Sequence, residues 1–255
     1  FGGDPRLKRL SEERMGKLDE RYGVATGLFC ADESLCAPPW DADEADRKSP
    51  SRGTELCSVV ESMFSYTEMF SIIGGVKEAD RAEKIALNAL SATWASPRGG
   101  DMWQHQYFQA TNQWHATNVS NHDHQYQDGS GNLESFFGGS DQGGCCTANN
   151  GQGWPKYLLR SVFRTPADGG VAIGVFVPLR VQLTSSSVLL VDTDYPYEDT
   201  VTVLLTNVAK PTPLRIRVPT WATAATATVN GVPVPAESIA NGTMLKVTCP
   251  AAAAA

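Results

Sequence analysis

The hydropathy pattern predicts an α+β chain, helical to about residue 165 and all-β beyond it. Apolar residues recur at a helical period in three stretches, 4–22, 54–73 and 77–95. From residue 166 onward the period drops to two, in short runs separated by turn signals such as Lys210-Pro211, Asn230-Gly231 and Asn241-Gly242. Short strands at that spacing predict a β-sandwich. The expected domains are therefore 1–165, helical, and 166–255, β-sandwich.

Each element has its own signal. Asp4 is the expected N-cap of the first helix, with Pro5 at the first helical position and Gly23 as the stop. A long polar loop follows over 23–53, which makes it a functional or disordered segment. The second helix is expected from Thr54, as N-cap, to Ile73. Leu56, Val59, Val60, Met63, Phe64, Thr67 and Phe70 form its apolar face, and Glu55 falls in its first turn. Gly74-Gly75 separates it from a third helix over 77–95, with Ala82, Ile85, Ala86, Ala89, Leu90 and Trp94 facing inward. Periodicity fails over 96–144, apart from a short strand at Gln104–Ala110. A short helix is expected over Pro155–Phe163. Strands follow around 171–177, 188–191, 201–205, 214–218, 226–229 and 245–248.

Composition narrows the function classes. The chain has 255 residues, 42% of them apolar, and a net charge of −7. It has no Lys/Arg cluster, which argues against nucleic acid and anionic membrane as partners. No apolar run approaches the ~20 residues of a membrane-spanning helix. Cys30 and Cys36 are spaced for a short disulfide loop, and Asn118-Val-Ser120 and Asn241-Gly-Thr243 are glycosylation sequons. Together these favour a secreted protein.

The remaining cysteines carry the chemistry. Cys145 and Cys146 are adjacent, between Gly143-Gly144 and Gly151-Gln-Gly153. Neighbouring residues of a helix or strand diverge, so one centre served by both is expected to need irregular backbone. Glu55-Leu-Cys57 sits at the expected start of a helix, where an i, i+2 pair can chelate. Glu55, Cys57, Cys145 and Cys146 then make a set of three thiolates and one carboxylate, which suits tetrahedral zinc. On spacing alone, incidental thiols remain an equal reading. His122-x-His124 reads as part of a polar loop, since nothing nearby completes a metal site.

Taken together, Ala31-Asp-Glu33, Gly53-Thr-Glu-Leu-Cys57, Cys145-Cys-Thr-Ala-Asn149 and Gln152-Gly-Trp-Pro-Lys156 resemble the DUF1680 family. That family contains the zinc-dependent β-L-arabinofuranosidases of glycoside hydrolase family 127. Asp194-Tyr-Pro196, Arg217-Val-Pro-Thr-Trp221 and Val229-Asn-Gly231 resemble its β-sandwich.

The resemblance implies the C-terminal part of an (α/α)6 barrel, followed by an antiparallel β-sandwich. The family's long upstream helical region has no counterpart here, so an N-terminally truncated member is expected. The resemblance also implies zinc bound by Glu55, Cys57, Cys145 and Cys146, with Cys145 as nucleophile and Glu33 as acid/base. The implied substrate is an L-arabinofuranosyl or related glycan, hydrolysed with retention. Asp32 is expected to orient or support, and Glu61 and Glu68 to be structural or solvated. Two other readings stand beside this one: a non-catalytic zinc-stabilised carbohydrate-binding or structural module, and a redox protein with a Cys145–Cys146 disulfide.

Overall fold

The computed structural model describes residues 4–31, 35–36, 47–48, 50, 53–93, 104–106, 108–111, 136–138 and 145–251. The chain divides into two compact units, Phe1–Ser65 with Arg81–Pro155, and Tyr66–Asp80 with Lys156–Ala255.

In the first unit, helix α1 spans Pro5–Tyr22, and Asp4 caps it by accepting a bond from the Arg6 N–H at 2.9 Å. Leu7 and Leu10 of its expected apolar stripe are exposed, and Tyr22 alone of the helix is buried. Asp19 near its end pairs with Arg81. Cys30 and Cys36 are disulfide-bonded, as their spacing suggests, with Cα atoms 5.5 Å apart.

Thr54 and Glu55 form strand β1, and helix α2 runs Leu56–Ile73. This corrects the expectation that Thr54 caps the helix and Glu55 lies in its first turn. The backbone groups of Thr54 and Glu55 have a non-local alternative. Ala31 bridges Thr54, and the Glu55 N–H donates to the Ala31 carbonyl at 2.7 Å. The apolar face of α2 is as expected: Leu56, Val59, Val60 and Met63 are fully buried, each worth about 1.5–3 kcal/mol.

Helix α3, Val76–Lys84, continues as a π-helical segment over Ile85–Leu90, which buries Ile85, Ala86, Ala89 and Leu90. Trp94 lies outside the described residues. The expected strand at 104–110 resolves into β2, Gln104–Gln106, and β3, Phe108–Gln109. Strand β3 pairs antiparallel with β1, and β2 with β4, Phe136–Gly138. Buried Gln109 donates to the Ala89 carbonyl at 2.6 Å and to Thr93 Oγ1 at 2.8 Å, satisfying groups at the end of the π segment.

Helix α4 spans Cys145–Leu159. It begins ten residues before the expected Pro155, and Phe163, expected to be helical, lies in a strand. The glycines that suggested a turn have another use. A Cβ on Gly153 would sit 2.7 Å from Leu90 Cδ1 and 3.4 Å from Val60 Cγ2, so glycine permits this approach without displacing Leu90.

The second unit holds strands β5 Val162–Thr165, β6 Gly170–Ile173, β7 Leu179–Gln182, β8 Val188–Asp192, β9 Thr202–Thr206, β10 Thr212–Val218, β11 Thr228–Val229, β12 Val232–Pro233 and β13 Thr243–Cys249. One sheet has the order β13-β10-β6-β5 and a second β7-β8-β9. Val171, Ile173 and Leu214 of the first share one core with Leu189 and Val191 of the second. This is the expected packing of two sheets, with one departure: β6 and β10 pair parallel. The intervening chain leaves the first sheet to build the second before returning to it.

Asn230-Gly231 makes the β11–β12 turn, with φ values of 51° and 80°, as that dipeptide predicts. Glu68 has a structural partner in Arg160. Arg217 is 2% exposed and bonds Asp80 at 2.5 Å, with its guanidinium 4.8 Å above the centre of the Phe176 ring. Among the described residues no helix is long and apolar enough to cross a membrane.

Candidate metal centre

The sequence separates Glu55 from Cys146 by 91 positions, yet their side chains meet within the first unit. Glu55 is placed by the short β1 ladder, which ends where α2 begins. Cys57 is the second residue of α2, and Cys145 and Cys146 are the first two of α4. Both pairs therefore sit at helix starts. Cys145 and Cys146 need no irregular backbone, contrary to expectation, because residues at the open end of a helix project into shared space beyond it. The N-terminal end of α4 also favours negative charge on those sulfurs.

The ligand atoms of Glu55, Cys57, Cys145 and Cys146 all lie within 4.8 Å of one another. Cys57 Sγ is 3.3 Å from Cys146 Sγ. Glu55 Oε1 accepts from Cys145 Sγ at 3.6 Å and from Cys146 Sγ at 3.5 Å. A tetrahedron with metal–sulfur bonds near 2.3 Å has edges of roughly 3.8 Å. The observed separations approach that value without any ligand having to cross the site, so the four residues fit a bound metal ion.

Burial separates the sulfurs. Cys145 is exposed, Cys57 half-buried and Cys146 fully buried. The bond from Cys146 holds the Cys57 thiol down to about 5 against the opposing effect of burial, with help from Asn149, Cys145 and Glu55. The Cys146 thiol is pushed up, first by the bond it donates to Cys57, then by burial and by the negative charges beside it. The two sulfurs are thus electrostatically coupled, and a cation between them would favour the ionised form of both.

Asn149 is the residue that spacing did not single out. Its side-chain N–H donates to Cys57 Sγ at 3.0 Å. The available signal was its place four residues after Cys145, which on a helix is the same face. Cys145 and Cys146 are not joined in the disulfide required by the redox reading. Glu33, Asp32, His115, His122 and His124 lie outside the described residues, as does Asn118. Ala31, two residues before Glu33 in sequence, is the partner of Thr54 and Glu55 described above.

Comparison with known proteins gives a family-model match over part of the chain and a fold. Residues 170–250 match the family model described as the beta-L-arabinofuranosidase GH127 middle domain. Comparison with curated protein sequences gives no match. A solved glycoside hydrolase is similar over 88% of this chain and 37% of its own, at 19% identity and a TM-score of 0.61. A GH127 beta-L-arabinofuranosidase from Geobacillus stearothermophilus T6 is similar over 97% of this chain and 37% of its own, at 15% identity and a TM-score of 0.68. A GH127 beta-arabinofuranosidase is similar over 89% of this chain and 34% of its own, at 15% identity and a TM-score of 0.59. At these identities the likeness shows the fold. The chain spans about a third of the length of these solved proteins.

Proposed function

We propose, from the match of residues 170–250 to the GH127 middle-domain model, that this chain carries the catalytic centre of a retaining glycoside hydrolase acting on β-L-arabinofuranosyl or related glycans. The proposed organisation is the C-terminal part of an (α/α)6 barrel over 1–165, followed by the sandwich over 166–255. The observation that carries the reading is the convergence of Glu55, Cys57, Cys145 and Cys146, with Cys145 as the exposed sulfur. The proposed metal is zinc, which would supply the positive charge that keeps the sulfurs ionised at neutral pH.

The chemistry falls to Cys145 and Glu33. Cys145 Sγ attacks the anomeric carbon of the sugar, forming a carbon–sulfur bond as the glycosidic carbon–oxygen bond breaks. Glu33 delivers its proton to the departing oxygen. A water molecule then attacks the same carbon from the vacated side and gives its proton to Glu33, and the carbon–sulfur bond breaks. Two inversions at one carbon give retention, with a cysteine in place of one carboxylate of the usual pair. Support for Glu33 is its position two residues beyond Ala31, whose carbonyl accepts from the Glu55 N–H. Cys57, Cys146 and Glu55 hold the site in shape, and Cys146 is too buried to reach a sugar. The Cys30–Cys36 disulfide supports a secreted location.

The test pairs zinc content with release of L-arabinose from a p-nitrophenyl β-L-arabinofuranoside. One zinc per chain, with release abolished in Cys145→Ala and Glu33→Gln, is expected. A Cys145→Ala chain hydrolysing at the wild-type rate overturns the nucleophile assignment. A second reading, a zinc-stabilised carbohydrate-binding module, is favoured by the core that the two sheets share. Glycan binding that survives chelation, without hydrolysis, would support it.

A further inference from the structure

Asn149 is a half-buried polar residue four positions into α4, with its amide nitrogen 3.0 Å from Cys57 Sγ. Asparagine is a poor helix interior residue, because its side chain competes for backbone bonds. Its presence one turn from the start of α4 needs another reason, and the sulfur supplies one. The amide turns its N–H edge, not its oxygen, toward Cys57, and the sulfur accepts. The same helical turn brings Cys145 and Cys146, which precede Asn149 by four and three residues, onto the neighbouring face. One rigid turn of helix thus bears two ligands and a donor to a third.

We propose that Asn149 is a positioning residue for this centre. Its N–H fixes where the Cys57 sulfur points and withdraws electron density from it, so that Cys57 binds the metal in one orientation. Groups of this kind around a metal site orient the ligands and tune their basicity. The inference rests on the metal reading of the four-ligand set. It adds a residue that touches neither metal nor sugar.

Cobalt(II) added alone to the metal-free full chain tests it, because the sulfur-to-cobalt charge-transfer band reports the electron density on the sulfurs. In Asn149→Leu, similar in size but without the N–H, cobalt affinity should fall about ten- to a hundredfold. The band should also move to longer wavelength, because a sulfur without its hydrogen bond gives up charge more readily. Asn149→Asp, which puts an acceptor against the sulfur, should bind more weakly still, and it decides the matter if Asn149→Leu does not fold. Unchanged affinity and band in the variants overturns the proposal. So does weaker binding with an unmoved band, which would mark Asn149 as merely structural. A wild-type chain with no sulfur–cobalt band overturns the metal reading and this inference with it.

Discussion

Cys57 Sγ and Cys146 Sγ lie 3.3 Å apart, although 89 positions separate them in the chain. Two sulfurs this close either share a proton or share a metal, and Glu55 and Cys145 complete the second arrangement. Removing one of the pair should therefore be costly. A four-ligand zinc site contributes roughly 10–16 kcal/mol of binding, so Cys57→Ser should lose about 3 kcal/mol of it. Zinc competition with a chromophoric chelator measures the loss, and wild-type affinity in the variant would contradict the site.

Exposure predicts reactivity. With the metal removed, iodoacetamide should modify Cys145 before Cys146, which is 0% exposed. Zinc should protect Cys145. Peptide mapping by mass spectrometry reads both outcomes, and Cys146 labelling first would reverse the roles given to the two sulfurs.

The two glycines of α4 should respond oppositely to alanine. Gly153→Ala places a methyl 2.7 Å from Leu90 Cδ1 and should cost about 1–3 kcal/mol. Gly151 has nothing within 4 Å of a built Cβ. Gly151→Ala should stabilise the helix by up to ~1 kcal/mol. Urea unfolding of both variants checks the contrast.

In the second unit the Arg217–Asp80 pair is buried on the arginine side. Asp80 also accepts from the Thr220 N–H at 2.9 Å and from Thr220 Oγ1 at 2.7 Å. Asp80→Ala leaves the guanidinium charge buried and should destabilise by about 3–5 kcal/mol, more than Arg217→Met. Denaturant midpoints of the two variants order them.

Asp168 predicts an acid dependence. Arg215 beside it, then Thr165 and the Gly170 N–H, hold its carboxyl below the ordinary carboxylate range. A lowered native value means a stabilising contribution that is complete above the unfolded value, near 3.9, and lost as pH falls toward and through the native one. Stability should drop below about pH 4 in the wild type, and less so in Asp168→Asn. Urea midpoints between neutral and acid pH test this, and parallel profiles would contradict it.

Local signals were legible in the residues themselves. Asp4-Pro5 starts α1 because capping involves only neighbouring groups, and Asn230-Gly231 turns because both residues tolerate positive φ. The buried face of α2 follows from its period. The four residues that converge, Glu55, Cys57, Cys145 and Cys146, could be named from type and motif, and so could the switch to paired sheets. Where non-local contacts compete with local preference, sequence alone misleads. Thr54 and Glu55 carry a helix-start signal, yet a backbone bond to Ala31 draws Glu55 into an extended ladder. Gly151 and Gly153 carry a turn signal, yet α4 runs through both; at Gly153 a Cβ would press on Leu90, so that glycine serves packing rather than a turn. Which sulfur faces solvent, which is sealed, and which accepts the Asn149 N–H depend on the meeting of two helix starts about 90 residues apart. Residue types set what the centre can bind; only long-range packing sets which atom is left to react.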